Sequence, residues 1–215
     1  MTHHRRRNFF SVLSQAGCAL LVLFSTSHAC AATILVFGDS ISAAYGLEVK
    51  QGWVTLLQQK LDKAAPGRHV VVNGSLSGET TSGGKTRLPP LLKKHQPALV
   101  IIELGGNDGL RGQPPPMMAA NLKSMIAEAR QQKAKVVLFG MRIPPNYGRA
   151  YTQAFEKVFV TVSQQEKVPL LPFFLEGVGG HPDLVQADGI HPVAKAQARL
   201  LDNAWPLIKA ELEAL

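Results

Sequence analysis

The chain has 215 residues, 46% of them hydrophobic, and carries 23 basic against 15 acidic residues for a formal balance of +8. That length holds one sizeable core but not two full domains. The basic residues are dispersed, Lys93-Lys94 being the nearest approach to a cluster past residue 31, and aromatics are few, so the charge does not point to a nucleic-acid partner.

The chain opens with Arg5-Arg6-Arg7, an uncharged and largely apolar stretch over 18–26, and then Ala29-Cys30-Ala31. A basic start, a short apolar run and a small-x-small site make the layout of a secretory signal peptide. The run falls short of the roughly 20 residues that a membrane span needs. We therefore expect residues 1–31 to be a leader cleaved near Ala31, residues 32–215 to form one domain, and the mature protein to be periplasmic or secreted. Arg6-Arg7-Asn8-Phe9-Phe10 also permits twin-arginine export. Both cysteines, Cys18 and Cys30, lie in this leader, so the mature fold is expected to stand without disulfides. Three basic and no acidic residues leave with it, and the balance of 20 against 15 becomes +5.

Past the leader, apolar β-rich runs over 33–37, 70–73, 98–104, 136–141 and 168–171 read as strands buried on both faces. Between them apolar residues recur at helical spacing. Trp53, Val54, Leu57 and Leu61 mark one helix, Leu88, Leu91 and Leu92 a second, and Met118, Leu122, Met125, Ile126 and Ala129 a third. Further helices are expected over 150–166 and over about 193–212, with Pro114-Pro115-Pro116 forming a stiff loop that closes on a helix start. Strand-helix alternation of this kind predicts an α/β fold: a parallel sheet covered by helices on both sides, with active groups at the carboxyl ends of the strands.

Three blocks fall at or just beyond those strand ends. Gly38-Asp39-Ser40 follows the first, Asn73-Gly74-Ser75-Leu76-Ser77-Gly78-Glu79-Thr80 the second, and Glu103-Leu104-Gly105-Gly106-Asn107-Asp108-Gly109 spans the end of the third. Alone, each is ordinary turn chemistry. Far downstream, Asp188-Gly189-Ile190-His191 completes the parts for acyl transfer: a serine nucleophile, an imidazole base and a carboxylate to orient it. A Gly78 backbone N–H and the Asn107 amide could then serve as oxyanion donors. Residues 78–86 look superficially like a phosphate-binding loop, but the spacing fails by one residue and Glu79 would repel phosphate. Asp39 could compete with Asp188 as the orienting acid, and His181-Pro182-Asp183 could supply another base or a metal site. We favour Asp188 and His191, and expect Asp39 to be a structural hydrogen-bond acceptor near the nucleophile turn, with no metal.

The four blocks, in this order, resemble the signature of the SGNH or GDSL hydrolase superfamily, and more narrowly its bacterial thioesterase I, arylesterase and lysophospholipase enzymes. Supporting stretches are Arg87-Leu88-Pro89, residues 103–112, Arg142-Ile143-Pro144-Pro145-Asn146-Tyr147-Gly148 and residues 168–174. The resemblance implies a flavodoxin-like, three-layer α/β/α sandwich with a five-stranded parallel sheet. It implies Ser40 as nucleophile, His191 as general base and acid, Asp188 as its partner, and Ser40, Gly78 and Asn107 as oxyanion donors. No metal or organic cofactor is implied.

The expected function is hydrolysis of fatty acyl esters and thioesters, including lysophospholipids, by a monomer that touches a membrane surface at most transiently. Residues 110–118 and 143–148, with Leu110, Ile143 and Pro144, are expected to border the acyl pocket. Two alternatives use the same sequence: a carbohydrate O-acetylesterase of the same superfamily, and a catalytically silent periplasmic binding protein. Scarce aromatics for sugar stacking weigh against the first, and intact catalytic parts against the second.

Overall fold

The computed structural model describes residues 1–2 and 31–215; the basic start and apolar run of the expected leader lie outside the described residues. Five parallel strands form one sheet in the order β2-β1-β3-β4-β5. They are β1 (Ala32–Gly38), β2 (His69–Asn73), β3 (Leu99–Glu103), β4 (Lys135–Phe139) and β5 (Leu170–Leu171). The register runs Ile34 against Val71 on one side of β1 and against Leu99 on the other, then Leu99 against Lys135.

The helices are α1 (Trp53–Ala64), α2 (Thr81–His95), α3 (Gly106–Leu110), α4 (Pro115–Gln131), α5 (Arg149–Glu166) and α6 (Gln197–Glu213). With right-handed crossovers, the step from β1 to β2 runs opposite to all later steps, so α1 lies on one face and α2, α4 and α5 on the other. α6 packs on α1 and completes the first layer, while α2 packs on α4 and α4 on α5. This is the expected three-layer sandwich. Helices on both faces explain why Ile34, Leu35, Val36 and Phe37 of β1 and Leu99 to Ile102 of β3 are all fully buried. Trp53 of α1, Phe139 of β4 and Phe174 beyond β5 stack with ring centroids 4.9 to 6.0 Å apart. They seal the α1/α6 side.

Several boundaries differ from the sequence reading. The fifth strand shrinks to two residues because Pro169 and Pro172 flank it and supply no N–H donors. Residues 110–118 are mostly not a loop. Leu110 ends α3 and Pro115 opens α4 at a position where the missing N–H costs nothing, leaving only 111–114 as connection. A 3-10 turn over Ala194–Ala196 precedes α6, which therefore starts later than expected.

The chain leaves β1 toward one edge of the sheet and β3 toward the other. That reversal opens a crevice beyond the carboxyl ends of these two strands. Ser40 stands just past β1 and Asn107 just past β3.

Candidate active site

Ser40 lies in the tight turn that follows β1. Gly38 permits the turn, because a Cβ there would sit 2.5 Å from Glu103 Oε2 and 2.8 Å from Ser42 Oγ. The Ser40 hydroxyl is 2.8 Å from His191 Nε2, and His191 Nδ1 is 2.7 Å from Asp188 Oδ2. One loop therefore carries both base and carboxylate, and brings them to a serine about 150 residues earlier in the chain.

Asp188 is also held by its own loop: its Oδ1 accepts the backbone N–H groups of Ile190 at 2.9 Å and His191 at 3.0 Å. Partial burial is the largest single influence on its carboxyl and pushes the pKa up. The two N–H bonds, the imidazole bond and the attraction of His191 together outweigh it, leaving the group at about 2. A carboxylate ionised at neutral pH keeps a proton on Nδ1 and frees Nε2 to accept one from Ser40. The Tyr45 ring lies over the imidazole with centroids 4.4 Å apart.

Asn107 is the second residue of α3, and its Nδ2 donates to Asp39 Oδ2 at 3.2 Å. Asp39 is not the partner of His191 Nδ1, which bonds Asp188; the Asp39 Oδ1 accepts the Ile41 N–H at 3.0 Å. Gly78, at φ +78°, holds the left-handed backbone that favours glycine, and its carbonyl accepts from Arg111 at 3.1 Å. Asp108 binds the amide and hydroxyl of Thr81 at 2.8 and 2.5 Å, tying α3 to the start of α2. Asp183 is engaged by Lys195 at 3.2 Å, and the Ser40 chain does not include His181.

A cleft of about 510 Å³ opens beside this arrangement, lined by Ser40, Asn107 and His191 at one end. Leu110, Ile143 and Pro144 line this cleft. Met141, Phe173, Leu175, Gly179 and Gly180 do so as well and were not foreseen. Gly78 and Arg111 lie outside that lining.

Residues 36–199 match the GDSL-like lipase/acylhydrolase family, about three quarters of the chain. The chain belongs to that family. This acylhydrolase is 56% identical to esterase TesA of Pseudomonas aeruginosa over 195 residues, covering 90% of this chain and 96% of that protein. It is 42% identical over 182 residues to thioesterase 1/protease 1/lysophospholipase L1 of Escherichia coli K12, covering 85% and 86%. The crystal structure of the psychrotrophic esterase EstA from a Pseudoalteromonas species, inhibited by monoethylphosphonate, superposes with a TM-score of 0.81 at 42% identity, covering 85% of this chain and 99% of that one. As an acylhydrolase, the protein is an enzyme acting on small-molecule esters.

Sequence reasoning included Glu103 in the third block but gave it no role. Glu103, the last residue of β3, is fully buried. Its Oε2 accepts the Ser42 hydroxyl at 2.7 Å and the Asp39 N–H at 3.4 Å, while Oε1 has no partner within the protein. Ser42 in turn accepts from Trp53 Nε1 at 3.1 Å. The available signal was a lone acid closing the apolar run Leu99-Val100-Ile101-Ile102, where burial leaves a charge nothing to pair with.

Proposed function

We propose that this acylhydrolase cleaves carboxylic esters and thioesters of fatty acyl chains through an acyl-serine intermediate on Ser40. His191 takes the Ser40 proton as the oxygen attacks the acyl carbonyl, and returns it to the departing alcohol or thiol. Water then attacks the acyl-enzyme with His191 again as base, releasing the fatty acid. Asp188 orients the imidazole and stabilises its charged form. The backbone N–H groups of Ser40 and Gly78 and the Asn107 amide are the oxyanion donors. The observation that carries this reading is the continuous line of hydrogen bonds from Ser40 through His191 to Asp188, at 2.8 and 2.7 Å.

The apolar cleft favours fatty acyl chains over acetyl groups on sugars, since Met141, Ile143, Phe173 and Leu175 offer an alkyl chain contact along its length. The named activities of the relatives extend the proposal to aryl esters, acyl thioesters and lysophospholipids as substrates. The enzyme works as an exported monomer after removal of residues 1–31, and meets lipid surfaces only transiently. No described helix is long and apolar enough to cross a membrane.

The test is steady-state hydrolysis of nitrophenyl esters from acetyl to palmitoyl by the mature enzyme and its Ser40→Ala variant. A fall of about 10⁴-fold or more in the variant is expected, with an optimum above acetyl in the parent. Equal rates would remove Ser40 from the chemistry, and an acetyl optimum would favour the O-acetylesterase.

A further inference from the structure

An asparagine amide presents an oxygen and a nitrogen of nearly equal size. Only its hydrogen-bond partners decide which of them faces the reacting carbonyl. If Asn107 turned its oxygen toward the oxyanion it would repel the charge it is meant to hold. The partner that decides is Asp39, whose Oδ2 accepts from Asn107 Nδ2. An ionised carboxylate is acceptor-only, so it selects the nitrogen and leaves the second N–H of the same group free for the oxyanion. A protonated carboxyl would accept the flipped amide equally well.

We propose that Asp39 is a positioning residue for the oxyanion donor Asn107, and that Glu103, held behind it as a neutral acid, keeps the single negative charge of this carboxyl pair on Asp39. The proposal rests on the reading of Asn107 as an oxyanion donor.

Both carboxyls are buried: Glu103 is 0% and Asp39 2% exposed. They are linked through the Asp39 backbone, whose N–H points at Glu103 Oε2. Two adjacent carboxylates in so dry a site do not both ionise. The donor sets decide between them. Asp39 has the Ile41 N–H and the Asn107 amide on its two oxygens and faces His191, whereas Glu103 has one hydroxyl, one long N–H contact and an oxygen with no protein partner. Burial, then the repulsion of Asp39, push the Glu103 carboxyl well above the ordinary range. Burial also raises Asp39, to about 6, against the lowering pull of Ile41 N–H, His191 and Asn107 and with a small upward push from Asp108. The groups that face Asp39 are thus Glu103 from β3, Asp108 from α3, and His191 from the loop before α6. Gly106 makes room for the approach, because a Cβ there would stand 3.2 Å from Asp39 Oδ2.

The consequence is an ionisation of the buried pair on the acid side of the rate profile. Activity requires ionised Asp39 and falls as pH drops through the pKa of the pair.

The experiment is a double-mutant cycle on a medium-chain nitrophenyl ester, with the Asp39→Asn and Asn107→Ala variants and their combination. Pre-titration of each with an organophosphonate counts competent Ser40. Asp39→Asn is expected to lower kcat about 10- to 100-fold with KM within about threefold, and to add little once Asn107 is already alanine. An equal loss in both backgrounds would overturn the proposal, because Asp39 would then act elsewhere. A loss on Asn107→Ala with none on Asp39→Asn would overturn it while leaving the oxyanion reading intact. No loss on Asn107→Ala would bring down the oxyanion reading itself and this inference with it. The pH profile of Glu103→Gln gives an independent readout. Glu103→Gln exchanges one neutral group for another, so the Asp39 limb should stay within about half a pH unit of the parent's. A limb lowered by about a full unit or more would show that Glu103 carries charge as Asp39 titrates and would overturn the pairing.

Discussion

At the scale of single residues, three carboxyls close together along the active-site face have been driven in different directions by their surroundings. Asp188 sits at the rim, where its own loop supplies two backbone donors, and it stays ionised. Asp39 and Glu103 lie deeper, where desolvation dominates. This has a consequence for stability that is opposite in sign to the usual carboxylate. The folded Asp39 holds its proton more tightly than the unfolded one, moving from 3.8 to about 6. Its effect is therefore least unfavourable below pH 3.8, grows as pH rises toward 6, and persists above it as a cost of about 3 kcal/mol. Asp39→Asn removes that ionisation yet keeps an oxygen for the Ile41 N–H. We expect the variant to be more stable than the parent at pH 8, by about 1 to 3 kcal/mol, and no more stable at pH 4. Denaturant midpoints at the two pH values check it. A variant less stable at pH 8 would show that the buried charge costs nothing. A gain in stability beside a loss of rate is the trade expected of a group kept for function.

At the scale of elements, the sequence made the scaffold legible because burial on both faces leaves β1, β3 and β4 continuously apolar, while β2, half-exposed at the edge instead of buried on both faces as expected, showed only as a run of three valines. The short β5 was readable only in outline, since prolines on either side trim a strand held by Leu138 of β4 donating to the Pro169 carbonyl just before it and Gly140, just past β4, donating to the Leu171 carbonyl. α3 was invisible: a five-residue helix beginning Gly106-Asn107 has no periodicity to read, and it forms because Asp108 is anchored on Thr81. The cleft divides in the same way. Ile143 and Pro144 could be inferred from their place after β4, but Phe173, Leu175, Gly179 and Gly180 reach it from a loop after β5 whose course is set by tertiary contacts, such as the Phe174 N–H on the Gly140 carbonyl. Two tyrosines brace the segments on the near side. The Tyr147 hydroxyl donates to the Leu110 carbonyl at 2.9 Å and that of Tyr151 to the Gln113 carbonyl at 2.8 Å. With its walls braced, the room available to an alkyl chain is set by side-chain volume. Ile143→Ala is expected to move the chain-length optimum up by about two carbons, each buried methylene being worth about 0.8 kcal/mol. The ester series measures this, and an unchanged profile would take Ile143 out of the acyl pocket.

At the scale of the whole molecule, a five-stranded open sheet has two edges, and each must be kept from pairing with another copy. One edge is β5, too short and too flanked by proline to serve as a template. The other is β2, whose Val70 is 55% exposed, and whose outward groups would invite a sixth strand. Gln58 of α1 occupies them instead: its Oε1 accepts the Val71 N–H at 2.7 Å and its Nε2 donates to the His69 carbonyl at 3.0 Å. A side-chain amide has both a donor and an acceptor, and here it reproduces the pair of bonds a neighbouring strand would make. The same contact pins α1 to the sheet, so that the helix whose first residue, Trp53, supports Ser42 is held at its middle by the edge it protects. Replacing Gln58 by alanine exposes one donor and one acceptor on a flat, β-branched strand. The expected result is a loss of about 1 to 3 kcal/mol in stability and the appearance of concentration-dependent self-association beyond that of the parent. Sedimentation equilibrium of parent and variant over a hundredfold range of concentration separates the outcomes. A variant that associates no more than the parent and unfolds at the parental midpoint would mean that water serves the β2 edge as well as the glutamine does.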